Sequence, residues 1–398
     1  MATHEGFSNW SGNRRHPGAR VHAPDSAEAV ATLVTRARAA GRKVRCRGTA
    51  HSFADLWTDD DVVSLDAIAG VRSTDIEART ATIAAGTKLH ALGEPLWRAG
   101  LSLPQQGDVD QQSIGGALGT GTHGTGPTLG SLSTAVRAAT LVNGLGESVT
   151  CDADSDAALL QAAQLSLGML GILTEVTLEL TEAYRLREWH SQTTVGDCGE
   201  RLTGLIADSR HFEFFWTPRH EVQGPEAGCL LKTLNIAADD EADSEEADAR
   251  VGPAYRVFPT HRELRFNEME YTVAAEDGWA CFSALREMML RDHPKLPWPV
   301  EYRTLAADAL PLSPTAGRPS VTLSVHQGAD RDYRELFEAS EAVFREFDGR
   351  PHWGKVHFLD HARVRALYPR LGEFNDARER MDPDGLFLTD AMARLLAG

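Results

Sequence analysis

The chain has 398 residues, 42% hydrophobic and 24% charged, an ordinary globular composition and enough length for two domains with separate cores. Its formal net charge of −17 argues against a nucleic-acid or anionic-membrane partner, because phosphates are repelled over a Debye length. No apolar run reaches the roughly 18 residues of a membrane helix, and MATHEGFSNW lacks the basic and apolar segments of a signal peptide, so a cytoplasmic protein is expected.

Residues 9–13, NWSGN, precede a first unit that opens with Asp25 as N-cap and Glu28 three residues on, a capping-box arrangement. Ala27, Val30, Leu33, Val34 and Ala37 recur at helical spacing, and Gly41 closes the helix. The strand KVRCR follows and runs straight into Gly48, Thr49, Ala50, His51, Ser52 and Phe53. A histidine at such a strand end either bonds a flavin methyl carbon or ring, or only satisfies local carbonyls. Strands are expected at 61–66 and 80–86, then a helix over Lys88–Arg98 with Leu89, Leu92, Leu96 and Trp97 on one side, ended by Gly100.

Residues 104–130, PQQGDVDQQSIGGALGTGTHGTGPTLG, are dense in glycine. Gly115, Gly116, Gly119, Gly121, Gly124 and Gly126 carry no Cβ, so the main chain there reaches positive φ and closes on an anionic diphosphate. Ser113, Thr120, Thr122 and Thr125 add hydroxyls, and His123 adds a ring donor. The stretch reads as the backbone cradle of a flavin nucleotide, because flexible linkers are Gly/Ser repeats without Ile114, Ala117 and Leu118. Gly119, Gly121 and Gly124 also fit G-x-G-x-x-G. That pattern needs a strand before it and a helix after it, and QQGDVDQQ, Pro127 and Gly130 supply neither.

A strand near 136–143, a helix near 156–165 and a strand at 172–181 complete the first unit. In the last, Ile172, Thr174, Val176, Leu178 and Leu180 share a face opposite Glu175 and Glu179, the mark of a half-buried strand. From about Tyr184, strands are expected at 211–218, 229–235 and 269–276, between longer helices. The acidic run 239–248 reads as a solvated loop with no assigned function. Cys46, Cys151, Cys198, Cys229 and Cys281 are scattered without a C-x-x-C pair, which points to reduced, mostly buried thiols and no structural metal.

Three later segments place polar side chains inside strand-like surroundings. Glu301 and Arg303 project from one face of PVEYRT. In SVTLSVHQ, Thr322, Ser324 and His326 oppose Val321, Leu323 and Val325, and in RPHWGKVHF, Trp353, Lys355 and His357 alternate with His352. Each alone reads as a surface strand or an ion pair. Side by side they would line a cavity with two cations, a carboxylate and imidazoles, a lining suited to a polyhydroxylated ligand. The tail 359–398 reads as helices near 360–367 and 369–381, then the turn Asp382-Pro-Asp-Gly385-Leu-Phe387, docking on the first unit.

The order GTAHSF (48–53), QQSIGGALGTGTHGTG (111–126), VEYR (300–303), HWGKVH (352–357) and DPDGLF (382–387) resembles the FAD-linked oxidases of the vanillyl-alcohol oxidase superfamily. Within it, the chain is most similar to the alditol and sugar-1,4-lactone oxidases, over nearly its whole length. The resemblance implies an α+β fold of PCMH type: an FAD-binding domain from residues 1–181, an inserted α+β substrate domain over 182–358, and a C-terminal segment 359–398 returning to the first. It implies FAD attached through an 8α-histidyl bond at His51, with Gly48, Thr49, Ala50, Ser52 and the glycine stretch around it. Ser113 resembles the serine beside the substrate's hydroxyls, Glu301 and Arg303 match the charged pair of a polyol pocket, and Lys355 matches the lysine near flavin and reacting carbon. His326 and His352 fall in the same pocket. Many members have glycine before the histidine where this chain has Ala50. The implied activity is hydride transfer from a polyol or sugar-lactone hydroxyl to flavin N5, with O2 reduced to hydrogen peroxide. The alternatives are a dehydrogenase using another acceptor, a tailoring oxidoreductase of secondary metabolism, and a carbohydrate-binding protein without chemistry.

Overall fold

The computed structural model describes residues 4–224, 228–246, 248–260 and 263–397. Two sheets build the first part of the chain. A four-stranded sheet is ordered His4–Ser8, Arg15–His22, Asp61–Ser64, Val44–Arg47, its last two pairings parallel. Helix Ala27–Ala39 buries Val30, Val34 and Ala37 against Val44 and Val63 of that sheet. Its N-cap is Ser26, whose side chain accepts from the Ala29 amide, so the expected cap at Asp25 lies one residue early.

A five-stranded antiparallel sheet is ordered Val71–Asp75, Thr80–Ala84, Ile172–Glu179, Val136–Val142, Ser148–Asp152. The alternation read from 172–181 holds: Ile172, Thr174, Val176, Leu178 and Leu180 are buried, and Glu179 is exposed. Leu89, Leu92 and Leu96 are buried as expected, but on a 3-10 turn, Leu89–Ala91, followed by a short helix, Gly93–Arg98. Pro95 lacks an N–H and fits the first turn of that second helix.

The second part is one nine-stranded antiparallel sheet ordered Ser244–Glu246, Ala249–Pro253, Arg185–Thr193, Cys229–Ile236, His211–Trp216, Val300–Leu305, Ser320–Gly328, Phe266–Ala274, Arg350–Pro351. One face is apolar, with Phe212, Phe214, Trp216, Met269, Tyr271, Val300, Tyr302, Leu323 and Val325 packed under helices Gly278–Asp292 and Arg334–Glu346. The other face is polar and nonetheless buried: Glu213, Lys232, Glu270, Glu301 and Arg303 are each at most 6% exposed.

The tail helices His361–Leu367 and Leu371–Met381 place Val364, Leu367, Phe374 and Met381 in the core of the five-stranded sheet, together with Leu310, Leu312 and Trp353. The DPDGLF turn closes on its own Asp382, whose carboxylate accepts from the Leu386 and Phe387 amides. Buried Arg45 donates to the carbonyls of Leu56, Gly168 and Phe387, which ties the tail to the strand feeding the His51 turn. The acidic run is not a plain loop. Ser244–Glu246 forms an edge strand, and Glu241 and Asp243 pair with Arg187 and Arg185. All five cysteines are free thiols, four of them buried. No helix among the described residues is long and apolar enough to cross a membrane.

Candidate active site

The polar face of the large sheet is turned toward the glycine stretch, and the two are latched together. Gly126 N–H donates to Thr304 O (2.7 Å), Thr304 N–H to Thr125 Oγ1 (3.1 Å), and His211 Nδ1 lies 2.7 Å from Thr125 O. Between them runs one cleft holding about 1550 Å³ of empty space, its open mouth included. Gly48, Thr49, Ala50, His51, Ser52, Ser113, Gly115, Gly116, Gly119, Thr120, His123, Glu301, Arg303, His326, His352 and Lys355 all line it.

Gly121 and Gly124 do not line it, and both are glycine for internal reasons. Gly121 is the left-handed cap (φ 78°) of helix Ile114–Thr120. A Cβ on Gly124 would stand 2.4 Å from Gln106 O. The glycine stretch is therefore part helix rather than a continuous loop. Tertiary bonds hold that helix against its poor propensity: Ile114 N–H donates to Thr87 O and Gly115 N–H to Ala85 O. A Cβ on Gly115 would press on Ala85 at 3.1 Å, whereas at Gly116 and Gly119 it would meet nothing within 4 Å and would stand in the cleft. Glycines one turn apart thus keep one wall of the cleft bare backbone, as close approach of a planar cofactor requires. Thr120 spends its hydroxyl on Gly116 O. Ser113 lines the cleft beside Gly48 and accepts from Lys88 (2.8 Å).

His51 is presented by a strained turn. Ala50 has φ 55°, the left-handed region that favours glycine, and its carbonyl accepts from Trp10 N–H (2.8 Å). The Trp10 indole stacks on the His51 ring at 5.2 Å. The NWSGN turn braces the same loop from below: Asn9 donates to Ser52 O, and Asn13 and Arg14 to Phe53 O. Those residues escaped the sequence reading, where nothing connects positions 9–14 with 50–53. Burial, then Lys355 and Lys88, lower the His51 pKa to about 4, so the ring is neutral at physiological pH.

Phe53 N–H donates to Gly354 O (2.7 Å), which joins the His51 turn to the HWGK segment. That segment is not the expected alternating strand. Only Arg350–Pro351 pair in the sheet, and then a turn sends Trp353 into the first core, its indole N–H on Leu312 O, while Lys355 enters the cleft. His357 is packed edge-on against Trp353 and lies outside the cleft.

The charged cluster is richer than expected. Arg303 Nη2 lies 3.0 Å from Glu270, 3.3 Å from Glu301 and 3.3 Å from Ser324 Oγ. Lys355 pairs with Glu268, 3.8 Å from the other side of which stands His326 Nε2. His123 is not directed at the cofactor wall: its Nε2 is 2.7 Å from Glu270 and its Nδ1 2.9 Å from Gly124 O. Burial raises the carboxyls of Glu268 and Glu270, but the facing cations outweigh it. Lys355 and His326 bring Glu268 below its ordinary value, and Arg303 and His123 bring Glu270 well below. Burial depresses His352 to about 3 despite Glu270. Three side-chain atoms of this buried cluster complete no hydrogen bond, Glu270 Oε1, Glu301 Oε1 and Arg303 Nε; the first is faced by His123 Nε2 at 2.7 Å, which leaves the other two as a pair. Buried polar atoms are nearly always partnered, so such a pair on a cleft wall is what a ligand hydroxyl completes.

A bare-backbone groove, a neutral histidine at its rim and a charged sheet face across from it define an FAD-binding oxidoreductase of the two-domain α+β kind. An FAD binding domain model matches residues 18–152, and a D-arabinono-1,4-lactone oxidase model matches residues 229–395. The chain is 31% identical to L-gulono-1,4-lactone dehydrogenase of Mycobacterium tuberculosis over 98% of its own length and 99% of the relative's. It is also 31% identical to alditol oxidase of a Streptomyces species (98% and 99%) and 27% identical to mouse L-gulonolactone oxidase (98% of each). Cholesterol oxidase from Brevibacterium sterolicum shares the fold at 17% identity, with a TM-score of 0.84 over 98% of this chain and 96% of that one. The chain belongs to the family of FAD-linked sugar-lactone and alditol oxidoreductases.

Proposed function

We propose that this protein oxidises a hydroxyl of an alditol or a sugar-1,4-lactone, with FAD bound covalently at His51 and O2 as the electron acceptor, reduced to hydrogen peroxide. The observation that carries this reading is the pair of unpartnered buried atoms, Glu301 Oε1 and Arg303 Nε, on the wall facing the glycine cradle. An acceptor and a donor on side chains two residues apart on one strand face suit neighbouring hydroxyls of a polyol chain or lactone ring, and analogues lacking those hydroxyls leave them unsatisfied. The relatives' names support the same substrate classes.

When bound, FAD supplies the acceptor for the hydride leaving the substrate carbon and hands the electrons on. The chain's own residues position that event. Gly116 and Gly119 leave room for the cofactor, and neutral His51 presents a nitrogen lone pair for attachment. Arg303 and Lys355, each already held by a carboxylate, are preorganised cations that stabilise negative charge as it develops near them. Glu301 orients Arg303 and accepts from a substrate hydroxyl. His326 and neutral His352 fill the remaining polar wall. A flavin dehydrogenase using an acceptor other than O2 is the second reading, favoured by the dehydrogenase name of the 31%-identical mycobacterial relative.

The test is anaerobic mixing of the purified yellow protein with xylitol, sorbitol, gulonolactone and arabinonolactone while flavin absorbance is followed. At least one should bleach the flavin, and admitting air should restore colour with an equivalent of peroxide. Bleaching with slow reoxidation and little peroxide selects the dehydrogenase, and no bleaching by any of the four refutes the substrate assignment.

A further inference from the structure

Three acceptor side chains converge on one wall of the cleft. Glu268 on strand Phe266–Ala274, Glu301 on Val300–Leu305 and His326 on Ser320–Gly328 all line it, and each is at most 9% exposed. The three strands are neighbours in the sheet. Glu268 stands directly opposite His326, and Glu301 stands opposite Ser324, two residues along the same face. One carboxylate oxygen of each glutamate and one ring nitrogen of His326 lie within 4.8 Å of one another.

His326 Nδ1 is 2.9 Å from Pro299 O, and a carbonyl can only accept, so Nδ1 carries the hydrogen and Nε2 of the neutral ring offers a lone pair. That nitrogen is 3.8 Å from Glu268 Oε1, too far for a hydrogen bond. The ring packs edge-on against Phe266, 5.1 Å between centroids, which fixes its orientation. Lys355 takes the other oxygen of Glu268, and Arg303 faces Glu301 Oε2 at 3.3 Å, while Glu301 Oε1 is buried without a hydrogen-bond partner.

Zinc bonds to imidazole nitrogen and carboxylate oxygen are about 2.1 Å long, so a tetrahedral ion holds its ligand atoms about 3.4 Å apart. The observed 3.8 Å is nearer to that gap than to the about 2.8 Å of a hydrogen bond. The outer contacts match as well. A histidine that gives its second N–H to a backbone carbonyl, and carboxylates each held by a further partner, are how proteins orient zinc ligands. Three protein ligands leave the fourth position open to the cleft, the arrangement of an accessible zinc rather than a structural one. Lys355 and Arg303 act against a further positive charge, so the ion is held reversibly. A second group of acids, Asp108, Glu213 and Glu301, is equally compact, but Lys232 Nζ is 2.7 Å from Glu213 and 3.4 Å from Asp108, so a cation of the protein already serves it.

We propose that Glu268, Glu301 and His326 bind one Zn2+ ion reversibly, and that the ion competes with the substrate for Glu301. Substrate hydroxyl and ion call on the same carboxylate, so one excludes the other and zinc inhibits. The competition rests on the oxidation proposed above, whereas the binding of the ion does not.

Equilibrium dialysis of the chelator-stripped holoprotein against Zn2+ tests the site. The wild type should bind one equivalent. His326→Gln and Glu268→Gln, which leave the Asp108, Glu213 and Glu301 group intact, should each bind it at least about tenfold more weakly. Equimolar Mg2+, which demands octahedral oxygen ligands, should not displace it. No equivalent on the wild type, an unaltered affinity in either variant, or displacement by Mg2+ overturns the site. With the alditol or lactone that bleaches the flavin, Zn2+ at about ten times its dissociation constant should raise the apparent KM about elevenfold at unchanged kcat, and EDTA should reverse the effect. A fall in kcat at unchanged KM removes the competition. If no alditol or lactone bleaches the flavin, the substrate reading falls and the competition with it, and dialysis still decides the site.

Discussion

Gly116→Ala separates the two things a glycine-rich wall can be, a fold requirement or a cofactor requirement. Gly116 is inside helix Ile114–Thr120, its φ is not positive, and a Cβ there meets nothing within 4 Å. Replacing a helical glycine by alanine should therefore stabilise the protein itself by about 0.5–1 kcal/mol. The same methyl enters the cleft, where overpacking against a fitted ring costs about 1–3 kcal/mol, which is roughly a 5- to 150-fold weaker hold on FAD. Gly115→Ala is the comparison: its Cβ presses on Ala85 at 3.1 Å, so it should lower stability where Gly116→Ala raises it. Since a covalent flavin has no measurable dissociation constant, binding is to be read by flavin fluorescence in the His51→Ala background, and stability from thermal midpoints of the flavin-free proteins. A Gly116→Ala protein that is less stable, or that binds FAD as tightly as its parent, would refute the assignment of this wall to the cofactor.

Three further outcomes follow from the same geometry. Acid-precipitated wild type should give a yellow pellet and His51→Ala a colourless one; a colourless wild-type pellet rules out the covalent bond. Ala50→Gly should leave the thermal midpoint unchanged or higher, because it relieves a left-handed residue, whereas Ala50→Val should cost about 1–2 kcal/mol; equal midpoints for the two would remove the strain argument. Arg303→Met leaves Glu270 and Glu301 buried without their guanidinium, at about 3–5 kcal/mol near neutral pH. In the wild type Glu270 titrates well below its ordinary value, so its stabilisation is complete above about pH 4.5 and fades only in more acid solution. In the variant Glu270 is protonated readily, and the gap in thermal midpoint should narrow from pH 7.5 to pH 4.5; a constant gap would show that Arg303 acts by packing alone.

Local periodicity carried much of the fold. The 172–180 strand was legible because one face is buried and the other wet, and the tail helices read near 360–367 and 369–381 form over His361–Leu367 and Leu371–Met381. The glycine helix was not legible, since three glycines in seven residues argue against a helix and the bonds from Ile114 and Gly115 to Thr87 and Ala85 are tertiary. At the site, VEYR and HWGK gave Glu301, Arg303 and Lys355, but Glu268 and Glu270 were missed. The strand carrying them begins at Phe266, three residues before the expected start, and their cations lie 87 and 33 positions away. Asp108, Glu213 and Lys232 carried no local signal at all, being single charges in otherwise apolar or loop-like runs.

The polar face of the nine-stranded sheet is the feature that stability alone does not explain. An antiparallel sheet with one apolar face commonly leaves the other to water, and here the other is covered while it carries Glu213, Lys232, Glu268, Glu270, Glu301 and Arg303. Buried ion pairs rarely repay their desolvation, and apolar side chains of the same volume would hold the two layers together as well or better. The layers have a separate latch in any case, through Thr125, Gly126, His211 and Thr304. Interface adhesion is thus supplied by hydrogen bonds at one side, which leaves the charged face, with the unpartnered atoms of Glu301 and Arg303 on it, available for the hydroxylated substrate proposed above.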